Sequence, residues 1–240
     1  MQAVILAGGL GTRLREIVGD RPKPLAEIDG KPFLEYQIDF LKKYCVTDLI
    51  ICIGYLGEKI EKHFLDGTDY GVSIAYSRER KLLGTGGALK NAIDLLHERF
   101  FVLNGDTVFL INLFDMEKFH EQVLADATLA LTKVNDQSRY GSVTLEHNQY
   151  GNKILGFSEK STSSGSLINA GIYLMEKKLF CRADLPETFS FESYLLPRIV
   201  QTSRVCGFVD ECAYFVDIGT IAGYRKLEED IKLQKIMTLK

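Results

Sequence analysis

Several features that mark particular classes of protein are missing from this chain of 240 residues. Its longest apolar runs, such as 49–55, are far shorter than the roughly 20 residues of a membrane-spanning helix. A net charge of −3 gives no overall positive field that would attract nucleic acid. The N-terminus starts directly with an apolar segment and shows no charged export signal. We therefore expect a cytoplasmic protein that binds neither nucleic acid nor membranes.

Cysteine and histidine are also scarce. The five cysteines are odd in number, widely spaced and without a Cys-x-x-Cys pair, which favours reduced thiols over a disulfide framework. The four histidines never pair at the spacing of metal ligands, which argues against a zinc site. The remaining composition, 46% apolar and 25% charged, is that of an ordinary globular protein, and the length fits one large domain.

Strand and helix patterns alternate in the first half of the chain, which favours a parallel sheet covered by helices on both faces. There the predicted strands are 2–7, 49–53, 72–76 and 100–103, and the predicted helices are 33–44, 58–64 and 87–96. In the second half, strands predominate at 127–134, 141–146, 154–158, 168–175 and 205–209, with helices at 188–200 and 223–235. The Ser-rich stretch 161–166 is typical of a surface loop.

These patterns predict a single α/β domain over residues 1–240, in which a mixed, mainly parallel sheet lies between two layers of helices. Residues 1–110 would form a nucleotide-binding half, and residues 111–240 would form the half that binds a second substrate. Ligands of open α/β sheets bind at the carboxyl ends of the strands, where residues 7–13 and 104–106 would lie.

The segment 6–14 is the most informative part of the sequence, because three glycines within four residues follow a buried strand and precede an arginine. Gly8, Gly9 and Gly11 have no Cβ, so the backbone can adopt positive φ and turn its N–H groups toward a bulky ligand. Arg13 adds a forked positive charge that suits phosphate oxygens. The segment predicts a site for a polyphosphate or a nucleotide; a tight turn without a ligand is the alternative.

Two other glycine-rich phosphate motifs do not fit the chain. The dinucleotide fingerprint requires a third glycine at the position of Leu14. The P-loop pattern would use Gly30 and Lys31, but Pro32 follows them and Leu25 stands where the first glycine belongs. A dehydrogenase is therefore disfavoured.

Two further segments could contact an anionic or planar ligand. Lys23 lies between two prolines, which predicts an extended, stiff backbone that presents the ammonium group. The glycine-rich segment 83–88 opens a helix and would bring backbone groups close to a ligand. A solvated lysine and an ordinary helix start are the alternatives.

Acidic residues follow two predicted strands. Asp106 ends the turn 104–106, and Asp217 precedes a glycine turn at 218–220. Two carboxylates at two strand ends could share one Mg²⁺, whereas each alone could simply cap a loop. The segment 159–160 also comes after a predicted strand, and it is followed along the chain by the segment 169–171.

In combination, these motifs resemble the sugar-1-phosphate nucleotidylyltransferases. The segments that carry the resemblance, in the family's order and approximate spacing, are 8–14, 22–24, 83–88, 104–106, 159–160, 169–171 and 217–220. The chain is most similar to the short guanylyltransferases that act on D-glycero-α-D-manno-heptose 1-phosphate, and next to mannose-1-phosphate guanylyltransferases. The Arg-Tyr-Gly segment 139–141 fits the short group. The resemblance implies a Rossmann-like α/β/α sandwich of the GT-A-like type, without a C-terminal β-helix domain.

The resemblance also implies a role for each motif. The nucleotide would contact Leu6, Ala7, Gly8, Gly9, Gly11, Thr12, Arg13, Gly84, Thr85 and Gly86. The sugar phosphate would contact Asn104, Gly105, Glu159, Lys160, Asn169 and Gly171. Mg²⁺ would be bound by Asp106 and Asp217, and the catalytic residues would be Arg13, Lys23, Asp106 and Lys160.

The implied reaction joins a nucleoside triphosphate, expected to be GTP, to a sugar 1-phosphate, expected to be the heptose. It gives a nucleotide sugar for cell-surface polysaccharide synthesis and releases pyrophosphate. Mannose-1-phosphate guanylyltransferase and glucose-1-phosphate thymidylyl- or uridylyltransferase activities are alternatives, and a non-catalytic sugar-nucleotide-binding subunit is an alternative from another class. The chain departs from many relatives at Leu82, where they have proline, and at Phe215, near which they have tryptophan; this leaves sugar preference open. A homo-oligomer is also possible.

Overall fold

The computed structural model describes residues 1–14, 17, 19–134, 140–148, 151–158, 166–181 and 184–236. The strands are β1 (Gln2–Leu6), β2 (Glu27–Ile28), β3 (Lys31–Pro32), β4 (Asp48–Ile53), β5 (Ser73–Arg78), β6 (Arg99–Asn104), β7 (Thr107–Phe109), β8 (Ala127–Lys133), β9 (Ser142–Asn148), β10 (Gly151–Ser158), β11 (Leu167–Glu176), β12 (Val205–Val209) and β13 (Phe215–Asp217). The α-helices are α1 (Phe33–Lys43), α2 (Gly57–Phe64), α3 (Gly84–Asn91), α4 (Leu113–Gln122), α5 (Lys178–Cys181), α6 (Leu196–Thr202) and α7 (Ile221–Lys232).

Nine strands form one mixed sheet in the order β5-β4-β1-β6-β11-β8-β12-β10-β9, and β9 also pairs with β11. The first-half strands β5, β4, β1 and β6 are parallel, as the alternation of strands and helices predicts. In the second half only β8 and β12 pair in parallel, and the other pairings are antiparallel. Antiparallel neighbours need no crossover helix, which explains the strand-rich pattern of this half.

The apolar residues of the central strands divide between two cores, one on each face of the sheet. Ala3 and Ile5 of β1 face the core that α1, α2 and α7 cover, whereas Val4 faces the core that α3 and α6 cover. Both faces of β1 are therefore buried, which explains its uninterrupted apolar sequence. The predicted three-layer α/β/α fold is confirmed. Within the described ranges, no helix combines the length and apolar character needed to cross a membrane.

Three helices differ from their predicted bounds by more than one residue. Helix α7 covers Ile221–Lys232 instead of the predicted 223–235, and α3 ends at Asn91 instead of residue 96. Helix α3 begins at Gly84, three residues before the predicted start, because the N–H groups of Gly86 and Gly87 both donate to the carbonyl of Phe189. The predicted helix 188–200 is instead a wide π-helical turn, Phe191–Leu195, followed by α6. Only Ser166 of the predicted loop 161–166 belongs to the described residues.

A small second sheet places the C-terminal motif next to the main sheet. Strands β7 and β13 pair antiparallel, with Asp217 opposite Thr107. The N–H of Ile218 also donates to the carbonyl oxygen of Asp106 at 2.8 Å. These bonds bring together two acidic residues that are far apart in the sequence.

Candidate active site

A cleft of about 300 Å³ lies at the carboxyl ends of β1 and β6. Of the predicted site residues, those that line it are Leu6, Ala7, Gly8, Gly9, Lys23, Gly84, Thr85, Asn104, Gly105 and Asp106. A second cavity of about 400 Å³ adjoins it and is lined by Gly9, Gly11, Arg13, Lys23, Gly84 and Gly219, together with Leu10 and Leu82. Because both spaces are bounded by Gly9, Lys23, Leu82 and Gly84, they form two compartments of one site.

Glycine occupies each of the three positions in the first loop for a different structural reason. Only Gly11 adopts positive φ, at 62°. The positive φ that glycine permits at all three positions is therefore used at one of them. At Gly8 a Cβ would lie 2.5 Å from the Oε1 atom of Glu79, so the close approach of that carboxylate requires glycine. A Cβ at Gly9 would meet no described atom within 4 Å, which leaves space beside the backbone for a ligand.

Lys23 reaches the cleft from a turn, which corrects the prediction of an extended backbone. It opens a 3₁₀ turn, Lys23–Leu25, in which the N–H of Ala26 donates to the carbonyl of Lys23 at 2.9 Å. Its Nζ atom lies 2.5 Å from the Oδ2 atom of Asp106, and the two side chains are only 16% and 24% exposed. The turn therefore delivers a partly desolvated cation to the carboxylate.

Gly219 marks the point where the predicted catalytic groups converge. A Cβ there would lie 2.7 Å from Asp217 Oδ1, 3.1 Å from Asp106 Oδ2 and 3.6 Å from Arg13 Nη2. The N–H of Gly219 donates to Asp217 Oδ1 at 2.6 Å, which orients that carboxylate. The structure thus brings Arg13, Asp106 and Asp217 together. Lys23 joins this group through its ion pair with Asp106.

The donor set at this point suits one kind of metal. In the described part of the chain, no three His, Cys, Asp or Glu side chains form a metal-binding group. Two carboxylates are nevertheless enough for Mg²⁺, which usually keeps several waters and completes its coordination with substrate phosphates. Asp106 and Asp217 are therefore the residues that could hold such an ion.

The second glycine turn contributes to the cleft through only part of its length. Gly84 lines the cleft with φ at +73°, and a Cβ there would lie 2.6 Å from the carbonyl oxygen of Phe189. Gly86 does not line either compartment, because a Cβ would lie 2.2 Å from the Phe189 ring and its N–H already donates to Phe189. Gly86 therefore packs against Phe189, and its contact with the nucleotide stays a prediction. Thr85 lines the cleft and donates to Glu192 Oε2 at 2.8 Å.

The predicted sugar-phosphate residues are only partly brought together. Asn104 and Gly105 line the cleft, and Gly171 lies behind Asn104, where a Cβ would come within 2.9 Å of the Asn104 Nδ2 atom. Asn169 accepts from the N–H of Gly171 at 3.1 Å and donates to the hydroxyl of the buried Tyr173 at 2.8 Å.

Three of the predicted parts of the site are described by the structure only in part or not at all. Glu159 and Lys160 lie outside the described residues, as does Arg139 of the Arg-Tyr-Gly segment. Thr12 begins the 3₁₀ turn Thr12–Leu14. Tyr140 of the Arg-Tyr-Gly segment 139–141 donates to Asp217 Oδ2 at 3.4 Å, so the described part of that segment adjoins the site.

Two carboxylates that sequence reasoning missed also line the cleft. Glu79 directly follows β5, and its Oε2 atom accepts from the N–H of Leu83 at 2.9 Å. Burial raises the pKa of Glu79 above its ordinary value, and the Leu83 hydrogen bond opposes this only in part. Glu192 accepts from Thr85 and, at 3.3 Å, from Ser190. A carboxylate at a strand end, shortly before a glycine turn, is the signal that could have revealed Glu79.

A glycine loop, two cations and two carboxylates at the carboxyl ends of an α/β sheet define a site for phosphorylated nucleotides. The sequence model of the nucleotidyl transferase family matches residues 2–234. The chain belongs to this family, which confirms the resemblance found in its motifs.

Relatives and solved structures agree with this assignment. The chain is 41% identical over 234 residues to a D-glycero-alpha-D-manno-heptose 1-phosphate guanylyltransferase of Aneurinibacillus thermoaerophilus, covering 97% of this chain and 99% of the relative. A Campylobacter jejuni protein of the same name is 42% identical over 225 residues, covering 93% and 97%. The crystal structure of HddC from Yersinia pseudotuberculosis, also solved in complex with GMP-PN, has a TM-score of 0.82 at 35% identity and covers 96% of this chain and 99% of that one.

The packing of Gly86 can be tested by substitution. We expect Gly86→Ala to lower the free energy of unfolding by about 1–3 kcal/mol, because the added Cβ overlaps the buried Phe189 ring. This loss should appear although alanine favours helix more than glycine does. The matched control is Gly9→Ala, whose Cβ enters open space and should change stability by less than about 0.5 kcal/mol. Urea unfolding measures both, and equal stabilities would contradict the packing role.

Proposed function

We propose that this chain is a D-glycero-α-D-manno-heptose 1-phosphate guanylyltransferase. It would transfer GMP from GTP to the sugar 1-phosphate and release pyrophosphate. The observation that carries the proposal is the convergence of Arg13, Lys23, Asp106 and Asp217 at the junction of the two compartments. The names of the two relatives and the nucleotide analogue bound to HddC support the choice of substrates.

The main obstacle to this reaction is the repulsion between two anionic substrates. Two unit charges 4 Å apart repel by about 4 kcal/mol at an effective dielectric constant of 20. Arg13 and Lys23 would offset this repulsion, and alignment of the reactants in adjoining compartments could contribute roughly 7–11 kcal/mol. An oxygen of the sugar phosphate would attack the α-phosphorus in line, while the bond to the β-phosphate breaks. The attacking oxygen is already ionised, so the reaction needs no general base and no covalent enzyme intermediate.

We propose that Asp106 and Asp217 hold Mg²⁺ during this reaction. Bound there, the ion would neutralise phosphate charge and orient the phosphate oxygens. Arg13 adjoins the same carboxylates and would contact the phosphates that leave as pyrophosphate. Lys23, which touches Asp106, would remain close enough to neutralise the α-phosphate region.

The choice of GTP is supported by the chemistry of Glu79. An ionised carboxylate only accepts hydrogen bonds, and guanine alone among the common bases presents two adjacent donors, N1–H and N2–H₂, on its pairing edge. Among the described residues, Glu79 Oε1 has no hydrogen-bond partner, while Oε2 is fixed by Leu83. Burial raises the pKa of Glu79 by disfavouring its charged form, which donors from guanine would stabilise.

The choice of heptose depends on the relatives, since Glu159 and Lys160 of the implied sugar-phosphate site lie outside the described residues. Mannose 1-phosphate is the second candidate, because mannose-1-phosphate guanylyltransferases of rice are 36% identical to this chain. The chain spans 63% of their length. A cytoplasmic location, a homo-oligomer and a role in cell-surface polysaccharide synthesis remain predictions.

The substrates are tested by a panel of GTP, ATP, UTP, CTP and TTP against heptose, mannose and glucose 1-phosphates. We expect the highest kcat/KM with GTP and the heptose 1-phosphate, and we expect EDTA to abolish the release of pyrophosphate. The assay also separates the proposed enzyme from a non-catalytic subunit or a dehydrogenase. Absence of pyrophosphate release with every pair would contradict the proposal.

The catalytic cluster is tested by Lys23→Ala and Asp106→Asn. Each variant should lower kcat by about 100- to 1,000-fold, because each removes a preorganised charge from the reacting phosphates. Circular dichroism should show an unchanged fold. The control is Lys81→Ala, whose exposed lysine pairs with Glu187 outside the cluster and should leave kcat unchanged. Near-normal turnover in either cluster variant would rule out the assigned roles.

Base recognition is tested by Glu79→Gln. We expect kcat/KM for GTP to fall about 10- to 100-fold, because the substitution removes one bidentate contact with the base. Glutamine offers one donor and one acceptor, which match O4 and N3–H of uracil, so UTP should improve relative to GTP. The exposed Glu58→Gln provides the control. An unchanged ranking of the nucleotides in Glu79→Gln would exclude Glu79 as the guanine-reading residue.

A further inference from the structure

A buried glutamine lies directly behind the turn that carries Asp106. Gln37 belongs to α1, lines neither compartment of the site and is 4% exposed. Its Nε2 atom donates to the carbonyl oxygen of Asn104 at 2.8 Å and to that of Thr107 at 3.2 Å. One amide group thus joins the two ends of the turn on which Asp106 is carried.

The orientation of this amide is determined by its partners. Two carbonyl oxygens can only accept hydrogen bonds, so the NH₂ group of Gln37 and not its oxygen must face them. The Oε1 atom is buried and has no hydrogen-bond partner among the described residues. A cavity of only about 10 Å³ adjoins Gln37 and Thr107, which leaves the side chain little room for another rotamer.

The remaining contacts of the turn show what the glutamine adds. Gly105 is bonded to β1 through its N–H and the carbonyl of Leu6 at 3.1 Å, and the carbonyl of Asp106 accepts from Ile218. These bonds connect the turn to its neighbours on either side. Of the described side chains, only that of Gln37 donates hydrogen bonds to the carbonyls at both ends of the turn.

We propose that Gln37 is a positioning residue, which fixes the turn 104–107 and thereby the carboxylate of Asp106. The inference rests on the proposed function, because it concerns the placement of a group assigned to Mg²⁺ and phosphate binding. Gln37 does not line the cleft and touches no reacting atom. Its contribution is to keep the Asp106 carboxylate close to Asp217 and Lys23.

The test compares Gln37→Met with Tyr36→Phe. Methionine is unbranched and of similar length, so it preserves the packing but removes both hydrogen bonds to the turn. Tyr36 is the matched control, because its hydroxyl makes a buried hydrogen bond from the same helix to the carbonyl of Ile28, away from the turn. Mn²⁺ binding is measured by electron paramagnetic resonance with GTP but without sugar phosphate, so that no turnover occurs. Pyrophosphate release gives kcat and KM separately.

We expect Gln37→Met to weaken Mn²⁺ binding and to lower kcat by about 10- to 100-fold, the usual effect of losing an outer partner of a metal ligand. The KM for GTP should change little. Tyr36→Phe should lower the melting temperature but leave Mn²⁺ binding and kcat as in the unaltered protein. Normal Mn²⁺ binding and kcat in Gln37→Met, or the same losses in Tyr36→Phe, would overturn the inference.

A second variant covers the case in which Gln37→Met does not fold. Gln37→Glu preserves the shape, and its carboxyl group can donate one hydrogen bond to the turn only when it is protonated. Burial raises the pKa of such a carboxyl group, so kcat relative to the unaltered protein should rise as the pH falls from 8 to 6. A ratio that does not change with pH would contradict the positioning role. If the unaltered protein released no pyrophosphate, the proposed function would fail, whereas Mn²⁺ binding would still test the inference.

Discussion

The geometry of the site depends on the parallel pairing of β1 with β6. Leu6 pairs with Asn104, so the glycine loop and the Asp106 turn leave the sheet side by side. At Gly105 a Cβ would lie 2.3 Å from the carbonyl oxygen of Leu6, and the two segments can therefore approach only because this residue is glycine. The sheet, rather than flexible side chains, sets the distance between the backbone of the glycine loop and the carboxylate of Asp106. Such rigidity is what a reaction between two aligned phosphates requires.

Charge balance is the second constraint on the site. The Lys23–Asp106 pair is mostly shielded from solvent, unlike an exposed pair such as Arg21–Glu27, in which each side chain is 54% exposed. Exposed pairs contribute little to stability, and shielded pairs must recover the cost of desolvation. Here the pair places the ammonium group of Lys23 directly beside the carboxylate that is proposed to hold Mg²⁺. Substrate phosphates and Mg²⁺ would then provide each with a further partner of opposite sign.

The sequence predicts the parts of the site that depend on local patterns. The glycine loop, Lys23, Asp106 and Asp217 were found because each follows a buried strand or a turn signal, and the sheet brings strand ends together. The packing of Gly86 could not be predicted, because its neighbour, the Phe189 ring, comes from a distant segment. Gln37 is one of the residues of helix α1, and no local pattern distinguishes it. Its role depends on which face of α1 packs behind β6, and no periodicity encodes that.

Gln37 brings both a cost and a gain to the stability of the fold. A buried oxygen without a partner costs about 1–3 kcal/mol, a substantial share of the 5–15 kcal/mol that stabilises a typical domain. An apolar residue, or a tyrosine such as Tyr36 whose hydroxyl is satisfied, would avoid this cost but would leave the carbonyls of Asn104 and Thr107 without the hydrogen bonds that Gln37 donates. Neither could donate two hydrogen bonds to the carbonyls that flank Asp106. Glutamine at this position therefore meets the need for two donors at the turn that carries Asp106.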